Sequence, residues 1–357
     1  MNKETRIDRK ILGVRVKKKH FHSPLIYKRA KARRWEPNII PKILIVAFLI
    51  LILIFPSSSL QGAKQGLLLW FHTVLPTLLP FIILSNLIIG LNIASYISKL
   101  LYPIFRTLFG VNLHGCYPIL IGFLSGIPVG AKSVADLVKE EKITTHEGQF
   151  LLGFCNNASP MFIMSFIAIS QLNKPELRMI LLLVLYLSAI LSSLLYFRLI
   201  KPNPYKAAAL HKNIVSTFSL SETPTSRKKF QFAIVDTAIM NGFEVITKVG
   251  GYIILFSIPA TIMTNLMKDT NLGTLLIIGL LEITTGIHVI ASTQIAIGTK
   301  IILITVLTAF GGLSGLAQTN SVIQDTNLSI ISYLKVKLLQ VIIAFLLISF
   351  YTIVMYL

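Results

Sequence analysis

Long apolar runs, separated by short polar or charged stretches, dominate this chain. The first, residues 39–55, ends at Pro56 and a predicted turn through Ser57, Ser58 and Ser59. Residues 66–90 follow, interrupted by Pro76 and Pro80. Residues 91–112 carry Lys99, Pro103 and Arg106, a punctuation that suits the membrane interface better than a clean span. Residues 113–129 are apolar, short and rich in Gly and Pro. A charged stretch from Lys132 to Lys142 leads to 149–170 and 179–200, both long enough to span a bilayer. Beyond the polar stretch 201–231 lie further apolar runs at 247–267, 272–291, 301–321 and 335–357.

Composition turns this pattern into a class. Of the 357 residues, 54% are hydrophobic and only 13% charged, with a mean hydropathy of +0.74. A soluble domain carries about 25% charged residues. This excludes a cytosolic globular enzyme, a disordered chain and a secreted disulfide scaffold. Cys116 and Cys155 are too few for a disulfide framework and lack metal-ligand spacing, so neither a metal nor a cofactor is expected. The chain reads as an all-α polytopic membrane protein, because helices pair their own backbone groups where the bilayer offers no partner.

The formal net charge of +20 is unevenly placed. Residues 1–42 hold 14 Lys and Arg against three acidic residues. Standing just before the first apolar run, this segment reads as a cytoplasmic anchor on anionic lipid headgroups, with no nucleic-acid partner. It is too long and too charged for a signal-peptide start, and no small-residue cleavage site follows. The second basic segment is 201–231, so both are expected on the cytoplasmic side. Four spans between them, 39–55, 66–90, 149–170 and 179–200, satisfy that condition only if 113–129 enters and leaves on one side.

Four parts follow. They are a basic cytoplasmic extension (1–38), a first membrane half (39–200) with a re-entrant hairpin at about 113–135, a basic cytoplasmic loop (201–231), and a second membrane half (232–357) with a hairpin at about 301–326. A weak internal repeat supports the two halves. Gly122-Phe-Leu-Ser-Gly-Ile-Pro-Val-Gly-Ala-Lys-Ser-Val134 resembles Gly311-Gly-Leu-Ser-Gly-Leu-Ala-Gln-Thr-Asn-Ser-Val322. The helices that begin the halves start on opposite sides, so the repeats are inverted. The expected architecture is an inverted-repeat, transporter-like bundle with two re-entrant helical hairpins and broken helices.

Polar groups inside apolar runs mark candidate chemistry. Ser125 and Gly126 stand at the expected tip of the first hairpin, with Lys132 one to two turns away. Gly126–Ser133 is a near miss to a phosphate-binding loop, because Ala131 stands where that motif needs Gly. Asn156, Asn157 and Ser159 precede Pro160, which frees carbonyls by breaking the helix. Glu282 is an acid in an apolar segment and a candidate for proton or Na⁺ coupling. Ser314, Gly315, Gln318 and Asn320 complete the candidate solute-binding set. No nucleophile–base pair stands out, and the chain is not expected to be an enzyme.

Four motifs, taken in order, resemble the YlbJ family of sporulation integral membrane proteins. They are Leu124-Ser-Gly-Ile-Pro-Val-Gly-Ala-Lys132, Phe154-Cys-Asn-Asn-Ala-Ser-Pro160, Leu280-Leu-Glu-Ile-Thr-Thr-Gly286 and Gly311-Gly-Leu-Ser-Gly315. The resemblance runs from about residue 40 to the C-terminus and leaves the basic extension unexplained. It implies paired Gate, or nucleoside-recognition, domains and a distant likeness to concentrative nucleoside transporters. It also implies a role in endospore formation, moving dipicolinic acid across the outer forespore membrane. A cell-membrane location is the broader expectation, with the N-terminus cytoplasmic. Nucleoside or ion transport, and a non-transporting assembly role in the forespore membrane, remain the alternatives. The reading leaves room for a homo-oligomer.

Overall fold

The computed structural model describes residues 39–91, 93–200, 232–266 and 272–356. The predicted basic extension 1–38 and basic loop 201–231 lie outside the described residues. Among the described residues, 39–49 and those from 50 onward fall in separate units, and the functional features all belong to the second.

The described residues are helical and contain no strand. Helix α1 is Ile39–Ile54. The expected serine turn after it is absent. Pro56 instead begins α2, Pro56–Leu69, because proline at the first helical position gives up only a donor that has no partner there. Through a π-helical turn at Trp70–Val74, α2 continues into α3, Leu75–Gly90. The whole stretch Pro56–Gly90 is 35 residues long. Then come α4 (Ile93–Phe109), α5 (Cys116–Ser125), α6 (Val129–Lys139) and α7 (Thr145–Cys155). A π-helical segment, Phe162–Gln171, is followed by α8, Arg178–Leu195. The second run holds α9 (Phe232–Leu266), α10 (Leu272–Leu281), α11 (Ile283–Ser292), α12 (Ile297–Phe310), α13 (Gly312–Ile323) and α14 (Ile330–Tyr356).

One order of elements occurs twice. A 35-residue helix, a doubled-back pair of short helices, an interrupted helix and a long closing helix occur in this order in each run, and the first run holds α1 and α4 besides. Five stretches among the described residues are long and apolar enough to cross a membrane: Pro56–Gly90, Pro175–Arg198, Phe232–Leu266, Ile297–Ile323 and Ile330–Met355. Leu183, Leu187, Leu191 and Leu195 form an exposed stripe along α8, as a lipid-facing helix requires. The chain is an all-α polytopic membrane protein.

The doubled-back pairs follow from glycine. Eight residues along a straight helix lie about 12 Å apart. A Cβ on Gly130 would come within 3.1 Å of the Cα of Gly122, so α5 and α6 lie side by side. Gly126 makes the reversal at φ +75°, a left-handed conformation that glycine adopts without steric cost. Gly122 and Gly130 both press against the Cys155 carbonyl oxygen, which seats this pair on the end of α7.

The second pair is not where the internal repeat places it. The chain doubles back at Glu282, where a Cβ on Gly286 would fall on the Cα of Gly279, seven residues earlier. Residues 301–326 instead fall mostly within the interrupted span Ile297–Ile323, which breaks at Gly311 (φ +87°). In chain order Ser125 therefore corresponds to the Glu282 turn, and Ser314 to the break after α7. The Leu-Ser-Gly match joins segments of unlike position.

Candidate solute site

Four interruptions converge on one cavity of about 90 Å³. Ser125 and Ile127 come from the first reversal, and Ala158, Ser159 and Phe162 from the break after α7. Glu282, Ile283 and Thr284 come from the second reversal. Thr308, Gly311, Ser314, Gly315 and Gln318 come from the break between α12 and α13. Two apolar walls flank it: Val74, Leu78, Phe81 and Ile82 on one 35-residue helix, Val245, Val249 and Ile253 on the other. A space of this size holds several water molecules or part of a small solute.

Each break is held by local hydrogen bonds. The Ile127 N–H donates to the Asn157 carbonyl at 3.0 Å, tying the first reversal to the broken helix. Ser159 Oγ accepts the Phe162 N–H at 3.2 Å and caps the segment that follows. Glu282 caps α11, its Oε2 accepting the Thr285 N–H at 2.6 Å. Beside it the Thr285 and Ser257 hydroxyls are 2.7 Å apart. A carboxylate at a helix N-terminus also meets the positive end of the helix dipole.

One wall group lacks such a partner. Ser125 Oγ is buried against the cavity and makes no hydrogen bond among the described residues. A buried hydroxyl without a partner costs about 1–3 kcal/mol, a cost removed when a polar ligand or water bonds to it.

The expected site residues separate into three groups. Ser125, Ser159, Ser314, Gly315, Gln318 and Glu282 come together on the cavity wall. Asn156 and Asn157 are buried but do not line it. Gly126 likewise is not on the wall; its Cα packs closely against Ser159 N and the Asn157 carbonyl. Lys132 and Asn320 are exposed and do not line it, because helix periodicity turns them away from the buried neighbours Ala131 and Thr319. The wall carries one carboxylate and no Lys or Arg. In the near-miss phosphate loop the Ala131 N–H is already taken, donating to Asn156 Oδ1 at 3.3 Å.

Behind the wall lies a polar network that sequence inspection largely missed. Asn156 Nδ2 donates to Thr319 Oγ1 at 2.8 Å and to the Tyr333 hydroxyl at 3.0 Å. The Tyr333 hydroxyl donates to the Asn156 carbonyl at 3.1 Å. Lys337 Nζ donates to Asn157 Oδ1 at 2.6 Å and to Gln340 Oε1 at 3.0 Å. Tyr333, Lys337 and Gln340 all belong to α14, whose apolar run reads from the sequence as starting at residue 335. The helix starts at Ile330, which carries Lys337 about two turns inside.

No family model matches the chain, and no solved structure matches it. The chain is 28% identical over 312 residues to the sporulation integral membrane protein YlbJ of Bacillus subtilis (strain 168). The match covers 80% of this chain and 75% of that protein. The chain is thus a polytopic helical protein similar, over most of its length, to an integral membrane protein of sporulation.

Proposed function

We propose that this chain is a multi-pass sporulation membrane protein that carries a small polar solute through the cavity where its four helix breaks meet. The observation that carries this reading is the convergence of four helix breaks on one cavity whose wall includes Ser125, Ser159, Glu282, Ser314 and Gln318. Of the buried serine hydroxyls without a partner among the described residues, those of Ser98, Ser125 and Ser349, only Ser125 belongs to a residue of the cavity wall. Breaks of this kind are tolerated at membrane depth where they line a protein cavity.

Dipicolinate is the solute we favour, and the outer forespore membrane the location, with the N-terminus cytoplasmic. Its flat ring suits the two apolar walls, and its carboxylates suit the Ser125, Ser159 and Ser314 hydroxyls and the helix N-termini beside them. Paired Gate-like halves and a distant nucleoside-transporter likeness belong to the same reading. One observation favours a nucleoside instead: the wall carries Glu282 and no cation. A carboxylate accepts hydrogen bonds from a nucleoside but repels a dianion unless it is protonated.

Uptake by proteoliposomes decides between them, using labelled dipicolinate, nucleosides and simple ions in parallel. Saturable dipicolinate uptake is expected, and nucleoside uptake in its place would transfer the site to the second reading. Ser125→Ala is expected to weaken dipicolinate binding about 10- to 150-fold, the value of one hydrogen bond to a charged group. Transport of none of these solutes would favour the assembly role.

A further inference from the structure

Lys337 is fully buried, at 0% exposure, in the middle of the molecule's polar network. No described Asp or Glu forms an ion pair with it. An ammonium has three hydrogens and no acceptor capacity. Here three oxygens meet it: Asn157 Oδ1 at 2.6 Å, Gln340 Oε1 at 3.0 Å and the Ala309 carbonyl at 3.3 Å. The Tyr333 ring lies 5.6 Å from Nζ. Removing a charge from water is costly, and only a shell of well-placed dipoles offsets it.

The origin of those oxygens matters as much as their distance. Ala309 is in the last turn of α12, where the break at Gly311 leaves helix carbonyls without their usual donors. The C-terminal end of a helix also attracts positive charge. Asn157 belongs to the break after α7. Gln340 Nε2 donates to the same Asn157 oxygen at 3.0 Å and to the Leu185 carbonyl of α8 at 3.3 Å, which fixes the amide that faces the ammonium. All three accepting atoms are neutral oxygens. Divalent cations draw carboxylates into their sites, so this set suits a monovalent ion.

We propose that these oxygens form a monovalent-cation site that the protein fills with its own ammonium. Lys337 thereby clamps the two interrupted helices together in place of a dissolved ion. K⁺ and NH₄⁺ are close to a lysine ammonium in size, and they are the ions the site would accept if Lys337 were shortened. The inference does not depend on which solute the neighbouring cavity holds, and its test reads stability rather than transport.

The full chain, purified in KCl, is exchanged into choline chloride, KCl or NH₄Cl at equal ionic strength, and its thermal midpoint is measured. The wild type is expected to show one midpoint in all three salts. Lys337→Ala is expected to melt several degrees lower in choline and to recover, saturably, in K⁺ or NH₄⁺. Lys337→Met fills the same space without charge and is expected to stay low in every salt. A wild type that gains as much from K⁺ as Lys337→Ala would overturn the proposal. So would a Lys337→Ala protein indifferent to K⁺ and NH₄⁺, or one that cannot be recovered folded even in KCl. A Lys337→Met protein as stable as the wild type would show that the charge has no such role.

Discussion

Asn156→Ala is expected to destabilise the protein by about 2–4 kcal/mol. The side chain joins four elements. Its amide donates to Thr319 on α13 and Tyr333 on α14, and its oxygen accepts the Ala131 N–H of α6, all from the end of α7. Truncation leaves the Ala131 N–H buried without an acceptor, and it removes two donors from hydroxyls that keep other bonds. Uptake should fall with the amount of folded protein rather than per folded molecule. The thermal midpoint of purified protein, read beside uptake per inserted molecule, checks both parts. A variant as stable as the wild type but inactive would return Asn156 to the solute-binding set in which the sequence alone placed it.

Ser314→Leu is expected to have the opposite signature. Ser314 is buried, but its side chain faces the cavity, and leucine there has space to occupy. Overpacking a filled core costs about 1–3 kcal/mol, and a site beside a cavity should sit at the lower end. Insertion and thermal midpoint should therefore be nearly preserved, while uptake drops to that of empty liposomes. The contrast with Asn156→Ala separates a residue that contacts solute from one that holds the wall in place. Uptake that survives Ser314→Leu would place the route elsewhere.

Much of this architecture was legible in the sequence, where glycine and proline announce a break. The Gly122, Gly126, Pro128 and Gly130 cluster located the first reversal, and Asn156–Pro160 located the interruption after α7. The Glu282 reversal was not legible, because it needs one residue, contains no proline, and caps its second helix with a carboxylate that reads equally well as a buried acid. The Leu-Ser-Gly match was misleading for a related reason. Ser125 precedes a reversal and Ser314 follows a break, and both geometries admit the same small residues. Lys337 was hidden by its neighbour Lys335: two lysines at the apparent start of an apolar run look interfacial. Only the true start at Ile330 shows that one of them is inside. Lys132 erred in the other direction, since a charge beside a glycine-rich tip is conspicuous in sequence but lies on the exposed face of α6.

Solute protection of a cavity thiol tests most directly whether the four breaks line a solute site. Ser125→Cys in the full chain is treated with a small thiol reagent across a range of dipicolinate and nucleoside concentrations, with Asn320→Cys as the exposed control outside the cavity. The native Cys116 and Cys155 are buried and contribute little background. One of these solutes is expected to slow labelling at position 125 saturably and to leave position 320 unchanged. Labelling at 125 that no solute slows, or equal slowing at both positions, would contradict a solute site there.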